Sequence, residues 1–206
     1  TEIDVKAAKK STSEKISKMS GKKMSLRYAV EDSKNGCAYS LYNIITPKVG
    51  LSYIENMNFS KIVQQDYTLS SGLGGLHHGT NTVEMANAYS TLENHGEYRQ
   101  ADCISSILDA SGNEIYEEPE SKTVYTRSAS DQMTDILEGV LNSSAGTAKG
   151  LKWSSASDVA AAAKTGTTND NNVAWFCGYT PYYTISVWVG YDYPKSVKGL
   201  WGNTYP

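Results

Sequence analysis

Several classes of function are disfavoured by what the sequence lacks. Its 206 residues contain no apolar run long enough to span a membrane and no stretch that resembles a signal peptide. Lysine and arginine do not outnumber aspartate and glutamate, and the formal net charge is -3. Binding to phosphate backbones needs a basic footprint, so nucleic acid is not expected as a partner.

Cysteine is also scarce, and its spacing is irregular. Cys37, Cys103 and Cys177 form no Cys-x-x-Cys pair, which argues against a zinc knuckle and against a disulfide framework. The adjacent His77 and His78 lack the i, i+4 spacing of a helical zinc pair. We expect three unpaired thiols, no metal and no cofactor.

What is present is the composition of an ordinary globular chain, with 39% hydrophobic and 20% charged residues. The chain is long enough to bury a real core. Residues 1–24 differ from the rest because they are rich in lysine and poor in large apolar residues. The sequence therefore predicts a polar N-terminal segment over 1–24 and one domain over 25–206.

Helical patterns dominate the first two thirds of the chain. A first helix is predicted after Ser25, which can cap it. A second begins near Cys37 and is stopped by Pro47 and Gly50, and a third follows from Leu51. Two further amphipathic helices are predicted, one capped by Thr82 and ended by Gly96, and one capped by Ser128.

Strand patterns dominate the C-terminal third. "NVAWFCGYT" and "YYTISVWVGYD" are rich in aromatic and β-branched residues, and a turn at Pro181 separates them. An additional hairpin is predicted over 103–118, turning at Asp109–Asn113. Helices followed by adjacent strands favour an α+β fold with an antiparallel sheet over regular βαβ winding.

The segment "SASDVAAAAKTG" allows two interpretations. Local propensity favours a short helix, capped by Ser157 or Asp158 and ended by Gly166. Its context favours an edge strand, because it leads through a turn composition directly into the two strands. Small side chains on such an edge leave the backbone open to an extended ligand. Lys164 would then supply a positive charge and Thr165 and Thr167 two hydroxyls, which suit a carboxylate.

At these residues the sequence resembles the penicillin-binding protein transpeptidases, especially their bifunctional class A. "KTGT" at Lys164–Thr167, followed by "AWFCGYTP", matches one family motif, and Ser33–Asn35 in "SLRYAVEDSKN" matches the serine-x-asparagine motif. "LGGLHHGTNTVEMANAYSTLENHG" and "SSAGTAKGL" resemble the segments between them. The similarity runs from about Ser25 to about Trp201 in the family's order.

The resemblance implies the fold of that superfamily, an α+β arrangement like that of serine β-lactamases, with an antiparallel sheet flanked by helices and the site at the sheet edge. It also implies an acyl-enzyme reaction, in which a serine attacks the D-Ala–D-Ala carbonyl of a peptidoglycan stem peptide. The substrates would be peptidoglycan stem peptides and, as inhibitors, β-lactam antibiotics.

Roles for individual residues follow from the same resemblance. Ser33 would relay a proton and Asn35 would hold the substrate amide. Lys164 would favour the unprotonated form of a base lysine, and the Thr167 backbone N–H would form half of the oxyanion hole. The implied catalytic residues are Ser33, Asn35, Lys164 and Thr167; the implied substrate-binding residues are Asn35, Thr165, Gly166 and Thr167.

The nucleophile departs from the family pattern. The family places its serine further upstream, in a Ser-x-x-Lys motif that opens an apolar helix. The one Ser-x-x-Lys string here is Ser20–Lys23, in the polar segment. We therefore expect a partial transpeptidase domain without its nucleophile. The remaining domain, a glycosyltransferase domain and an anchor at the extracytoplasmic face of a bacterial membrane would lie outside this chain.

Two alternatives of other classes stay open at this point. A non-catalytic scaffold or β-lactam sensor of the same fold would bind without turnover. A hydrolytic β-lactamase would need an acid that activates a deacylating water, and the sequence assigns none.

Overall fold

The computed structural model of the chain describes residues 24–151 and 159–206. Apart from Met24, the predicted polar segment 1–24 lies outside the described residues, so its boundary stays a prediction. Ser157 and Asp158, the candidate caps, also lie outside. Across the described ranges, none of the helices has the length and apolar character needed to cross a bilayer.

Most of the helices precede the sheet in the chain, as the sequence predicts. Among the described residues they are α1 (Leu26–Glu31), α2 (Asn35–Ile45), α3 (Pro47–Asn56), α4 (Thr82–Glu93) and α5 (Arg127–Asn142). Short 3₁₀ turns at Gln64–Asp66 and Leu69–Leu73 lie between α3 and α4. The predicted cap of α1 is confirmed, because the Ser25 hydroxyl accepts the Tyr28 N–H at 3.1 Å.

Two predicted caps are wrong by one or two residues. Helix α4 is capped by Asn81 and not by Thr82, since the Asn81 side chain accepts the Glu84 N–H at 2.9 Å and Glu84 reaches back to the Asn81 N–H. Helix α5 is capped by Thr126 and not by Ser128. In both cases a neighbouring residue also carries a capping side chain, so composition alone could not choose between them.

The prediction for Gly50 is also wrong. Pro47 ends α2 as expected, but it is the first residue of α3, and Gly50 lies inside that helix. A Cβ at Gly50 would lie 2.2 Å from Cε2 of Tyr42. The glycine is therefore a point of close contact between α2 and α3 rather than a helix stop.

The hairpin predicted over 103–118 forms only one bridge, between Leu108 and Glu114. Side-chain carboxylates take the amides that a longer ladder would use: Asp109 accepts the Asn113 N–H at 2.9 Å, and Glu114 accepts the Ile107 N–H at 2.9 Å. The segment between α4 and α5, which contains this turn, is instead closed by two short strands, β1 (Glu97–Tyr98) and β2 (Lys122–Thr123), paired antiparallel.

The main sheet contains β3 (Ala162–Thr167), β4 (Val173–Tyr179) and β5 (Thr184–Gly190) in that order, with antiparallel pairing throughout. The edge-strand interpretation of the alanine-rich segment is confirmed, and so are the two predicted aromatic strands. Because β3 pairs on one side only within the described part of the chain, its other edge is the position where an extended ligand could lie.

Two long helices cover one face of this sheet. Lys164 and Cys177 are register partners, and Tyr179 lies two residues further along β4 on the same face. The Tyr179 hydroxyl contacts that of Thr134 on α5 at 2.9 Å, and its ring lies 6.3 Å from the ring of Tyr89 on α4. The face that carries Lys164 is thus the face on which the helices pack. The core cluster consists of Leu137, Val140, Ala148, Ala162, Ala163, Phe176 and Tyr179.

The structure leaves all three cysteines unpaired. Cys37 and Cys177 are buried, whereas Cys103 is exposed in the segment between α4 and α5.

Candidate active site

Lys164 and Ser33 meet although 131 residues separate them in the sequence. The Lys164 ammonium donates to the Ser33 hydroxyl at 2.8 Å and to the Thr165 carbonyl at 2.7 Å. An ammonium group can only donate, so the Ser33 oxygen is the acceptor of this bond. The proton of the Ser33 hydroxyl is consequently directed elsewhere.

The backbone of Ser33 has a left-handed conformation, with φ of 52°. Such a conformation is uncommon for a residue with a side chain and is found in functional sites when the surroundings hold it. Here the surroundings are the end of α1 and the start of α2, joined by a bond from the Lys34 N–H to the Ala29 carbonyl at 2.8 Å. The Lys34 ammonium pairs with Asp32 at 2.6 Å. The turn therefore presents Ser33, and not Lys34, to the Lys164 side chain.

Burial lowers the pKa of Lys164 from 10.5 to about 8. The neighbouring Cys177 opposes this effect slightly, because a thiolate there would favour the charged ammonium. Burial in turn raises the pKa of the Cys177 thiol, so the thiol stays neutral at physiological pH. The site thus holds one lysine that is charged at neutral pH and titrates just above it.

The other predicted residues lie around this pair. Asn35 is the first residue of α2, two residues after Ser33, and is exposed. Thr165, Gly166 and Thr167 follow Lys164 along the edge strand, and Thr167 is exposed. All of the sequence-predicted site residues therefore lie on two adjoining elements, the turn into α2 and strand β3.

The Thr165 and Thr167 hydroxyls each have a partner that the sequence did not predict. The Thr165 hydroxyl contacts the Thr147 hydroxyl at 2.7 Å. The Thr167 hydroxyl accepts the Gly202 N–H at 3.0 Å, from the segment that follows β5. Gly202 lies directly on the strand, since a Cβ there would be 2.8 Å from the Gly166 carbonyl oxygen.

Helix α1 packs on α5 at Glu31 and at Arg27. Glu31 is only 7% exposed, and Gly139 on α5 leaves the space for it, because a Cβ there would lie 2.1 Å from Glu31 Oε1. Arg27 on α1 donates to the Asp135 carbonyl at 2.8 Å and pairs with its carboxylate. These contacts fix the turn containing Ser33 relative to the sheet that α5 covers.

Comparison with known proteins identifies the family. The model of the penicillin binding protein transpeptidase domain matches residues 2–200. The chain belongs to this family. The transpeptidase resemblance predicted from the motifs is confirmed.

Curated relatives of the family are similar over most of the chain. Penicillin-binding protein 4 of Bacillus subtilis is 33% identical over 178 residues, which are 86% of this chain and 28% of that protein. Penicillin-binding protein 1A of Clostridium novyi is 34% identical over 176 residues, 84% of this chain and 20% of that protein. The chain thus spans about a quarter of the length of these relatives.

Solved penicillin-binding proteins share the fold. PonA1 from Mycobacterium tuberculosis has a TM-score of 0.69 at 23% identity, over 83% of this chain and 48% of that one. Penicillin-Binding Protein 1A from Haemophilus influenzae has a TM-score of 0.68 at 20% identity, over 87% of this chain and 32% of that one. The predicted fold class, an antiparallel sheet flanked by helices, is confirmed for this transpeptidase domain.

Proposed function

We propose that the protein is a peptidoglycan D,D-transpeptidase that cross-links stem peptides through a serine acyl-enzyme and is acylated by β-lactams. The observation that carries the proposal is the 2.8 Å bond from Lys164 to Ser33, which joins the two family motifs across 131 residues. A lysine kept for packing would not need an acceptor from a distant turn together with an edge strand of small residues around it.

The nucleophile of this reaction is a serine outside the described residues. None of the serines in residues 24–151 and 159–206 is followed by lysine three positions later. Ser20–Lys23 has that spacing but lies outside the described residues and in a polar sequence. We infer that the nucleophile and its base lysine belong to sequence that completes this domain in the full-length protein.

The residues of this chain act on the acyl transfer in distinct ways. The nucleophilic serine attacks the carbonyl of the penultimate D-alanine, and the bond from that carbonyl to the terminal D-alanine nitrogen breaks. Ser33 passes the proton released by the serine to the departing nitrogen; its oxygen accepts from Lys164, so its own proton is available for this transfer. The amine of a second stem peptide then takes the acyl group and regenerates the serine.

Substrate binding falls to the edge strand and to α2. Asn35 holds the substrate amide through its side-chain donor and acceptor. The Thr165 and Thr167 hydroxyls bind the terminal carboxylate, with Gly166 allowing the substrate backbone to approach. The Thr167 N–H stabilises the negative charge that develops on the carbonyl oxygen in the transition state.

Lys164 contributes charge rather than proton transfer. Its ammonium attracts the substrate carboxylate and, as a like charge, favours the neutral form of the base lysine. At neutral pH Lys164 is protonated, because its pKa of about 8 lies above the pH of the medium. Binding and base activation therefore depend on the same positive charge.

The test is labelling of the full-length protein with a fluorescent penicillin. Lys164→Ala is expected to slow acylation because it removes roughly 2 to 4 kcal/mol of transition-state stabilisation, the size typical of preorganised electrostatic groups. The matched control is Lys61→Ala, an exposed lysine between α3 and α4, which should label at the wild-type rate. An unchanged rate in Lys164→Ala would reject the assignment.

A second measurement separates the enzyme from a binding module of the same fold. Purified full-length protein is incubated with stem-peptide substrates, and cross-linked product and released D-alanine are measured. Penicillin labelling without either product would favour the scaffold or β-lactam sensor.

The proposal extends to the surroundings of the domain. The solved PonA1 protein from Mycobacterium tuberculosis is described in complex with penicillin V, which supports β-lactams as ligands of this fold. The glycosyltransferase domain and the position on the extracytoplasmic face of a bacterial membrane are proposed from the family resemblance. Fractionation of cells that produce the full-length protein tests the location.

A further inference from the structure

Thr147 connects three separate parts of the candidate site. It lies in the loop after α5, eighteen residues before Thr165. Its N–H donates to the Glu31 carbonyl at 3.1 Å, its carbonyl accepts from the Asn203 side chain at 2.8 Å, and its hydroxyl contacts the Thr165 hydroxyl at 2.7 Å. Each polar group of Thr147 thus contacts a different segment: α1, the segment after β5, or β3.

The loop around Thr147 is closely packed on α5. The preceding Gly146 leaves no room for a side chain, because a Cβ there would lie 2.3 Å from the Val140 carbonyl oxygen. The following Ala148 is 1% exposed and donates its N–H to the Val140 carbonyl at 3.0 Å. Thr147 therefore has a fixed position relative to the helix that supports the sheet.

The contact with Thr165 determines which way its hydroxyl proton points. A threonine hydroxyl has one proton, and in a hydroxyl pair only one member donates. If Thr165 donates to Thr147, its proton is lost to the carboxylate; if Thr147 donates instead, the contact holds the Thr165 oxygen and leaves the Thr165 proton for the carboxylate. The Thr167 oxygen also accepts a hydrogen bond from outside the strand. Its donor is the Gly202 N–H at 3.0 Å, which can only donate.

Thr165 and Thr167 lie two residues apart on one strand and therefore on the same face of the sheet. Each has its oxygen next to a donor or possible donor from outside the strand. With Thr147 donating, both hydroxyl protons are available to the same anion.

We infer that Thr147 is a positioning residue of the transpeptidase site: its hydroxyl donates to Thr165 and thereby directs the Thr165 proton to the carboxylate of the substrate or the β-lactam. The inference rests on the proposed function. Thr147 does not touch the reacting atoms, so its effect belongs to carboxylate binding and not to the acylation step itself.

The experiment uses the full-length protein and compares Thr147→Val, which keeps the shape, with Thr147→Ser, which keeps the hydroxyl. Acylation is measured over a range of penicillin concentrations, which separates the dissociation constant from the first-order acylation rate. Thr147→Val should weaken binding about threefold to tenfold, the range for one neutral hydrogen bond, because the Thr165 hydroxyl loses the contact that holds its orientation; the first-order rate should change little. Thr147→Ser should stay within about twofold of wild type.

Two comparisons exclude a merely structural role. The methyl ester of the same penicillin has no carboxylate, so Thr147→Val should change its binding less than about twofold. In a Thr165→Val background, Thr147→Val should have no further effect, because both substitutions remove the same interaction. Should Thr147→Val fail to fold, Thr147→Ala repeats both comparisons without the added methyl contact.

The matched control is Thr134→Val. It removes a threonine hydroxyl of α5 that contacts the sheet at Tyr179, 2.9 Å away, and should leave penicillin binding unchanged.

Three outcomes would overturn the inference: wild-type affinity in Thr147→Val, equal losses for penicillin and its ester, or no rescue by Thr147→Ser. Failure of the proposed function looks different, since wild-type protein would then not be acylated, or Lys164→Ala would be acylated normally.

Discussion

Lys164 carries a positive charge in a buried environment that destabilises its protonated form. Burial destabilises the ammonium and lowers its pKa to about 8, while the Ser33 hydroxyl and the Thr165 carbonyl accept hydrogen bonds from two of its three N–H groups. A lysine in water would stay charged well beyond pH 9. The function of this site should therefore depend on pH in a range where an exposed lysine would not respond.

The alkaline limb of the acylation profile is predicted from this pKa. As pH rises through about 8, Lys164 loses its proton. The charge that we propose attracts the carboxylate and keeps the base lysine neutral is lost with it. The second-order rate of penicillin acylation in the full-length protein should fall with an apparent pKa near 8. In Lys164→Arg this limb should disappear, whatever the absolute rate, because a guanidinium stays charged to beyond pH 12. The same limb in both proteins would assign it to another group.

The sequence predicts Ser33 and Lys164 as site residues but does not predict Thr147. The first two belong to short motifs whose spacing carries information. Thr147 acts through a hydroxyl contact with Thr165 that forms only when the loop after α5 folds back on the sheet. The segment "SSAGTAKGL" matched the family as a whole, and no local pattern in it distinguished Thr147 from its neighbours.

Among the helices and strands too, some features follow from the local sequence and others depend on tertiary contacts. The run of alanines over 160–163 leads into strand β3 and favours a helix by local propensity, yet pairing of β3 with β4 overrides that preference. The strand could be predicted because the turn and the aromatic strands after it are visible in the sequence. The sequence suggests a helix stop at Gly50, whereas the glycine is needed to make room for the Tyr42 ring on the previous helix. That contact is not visible in the local sequence.

The loop after α5 joins three parts of the candidate site through Thr147. A Cβ at Gly146 would lie 2.3 Å from the Val140 carbonyl oxygen and 2.6 Å from that of Gly139. Both atoms belong to the backbone of α5 and cannot move independently. Gly146→Ala is therefore expected to lower the free energy of unfolding by about 1 to 3 kcal/mol and to slow penicillin acylation, since Thr147 is the next residue.

The control for this prediction is Gly36→Ala in α2, where an added Cβ meets no atom within 4 Å. An alanine in a helix is favoured over glycine by up to about 1 kcal/mol, so stability should stay the same or rise. Urea unfolding of the full-length variants, followed by tryptophan fluorescence, measures both. Equal midpoints for Gly146→Ala and wild type would show that the loop adapts and that the packing argument is wrong.

At the scale of the whole molecule, the described site brings together four segments of the chain. The turn at Ser33, the loop at Thr147, the edge strand from Lys164 and the segment at Gly202 come from distant parts of the sequence and meet through hydrogen bonds of 2.7 to 3.1 Å. Together they place the Lys164 ammonium beside the Ser33 hydroxyl, on the strand that carries the Thr165 and Thr167 hydroxyls. A carboxylate-bearing ligand can be held by these groups, but covalent chemistry also needs an activated nucleophile.

The contrast between these binding groups and the nucleophile expected elsewhere predicts how the 206-residue chain behaves by itself. We expect no covalent adduct with penicillin, because nucleophile and base act as a unit and the loss of either removes nearly the whole effect of the pair. The purified chain is incubated with penicillin and its intact mass is measured. Full-length protein treated in the same way is the positive control and should gain the mass of the antibiotic.

The competing hypothesis makes Ser20 the nucleophile and Lys23 its base. It requires the lysine to lose its proton near neutral pH, which takes burial, because at an exposed position solvent screens the effect of neighbouring positive charges such as Lys22. The sequence around the pair, "SKMSGKKMS", contains two methionines as its only large apolar residues and is rich in charged and small ones, so burial of Lys23 is not expected. A stable added mass on the purified chain that disappears in Ser20→Ala, but persists in Ser17→Ala, would establish Ser20 as the nucleophile. That result would place the whole catalytic unit within this chain and would contradict the inference that the acylated serine lies elsewhere.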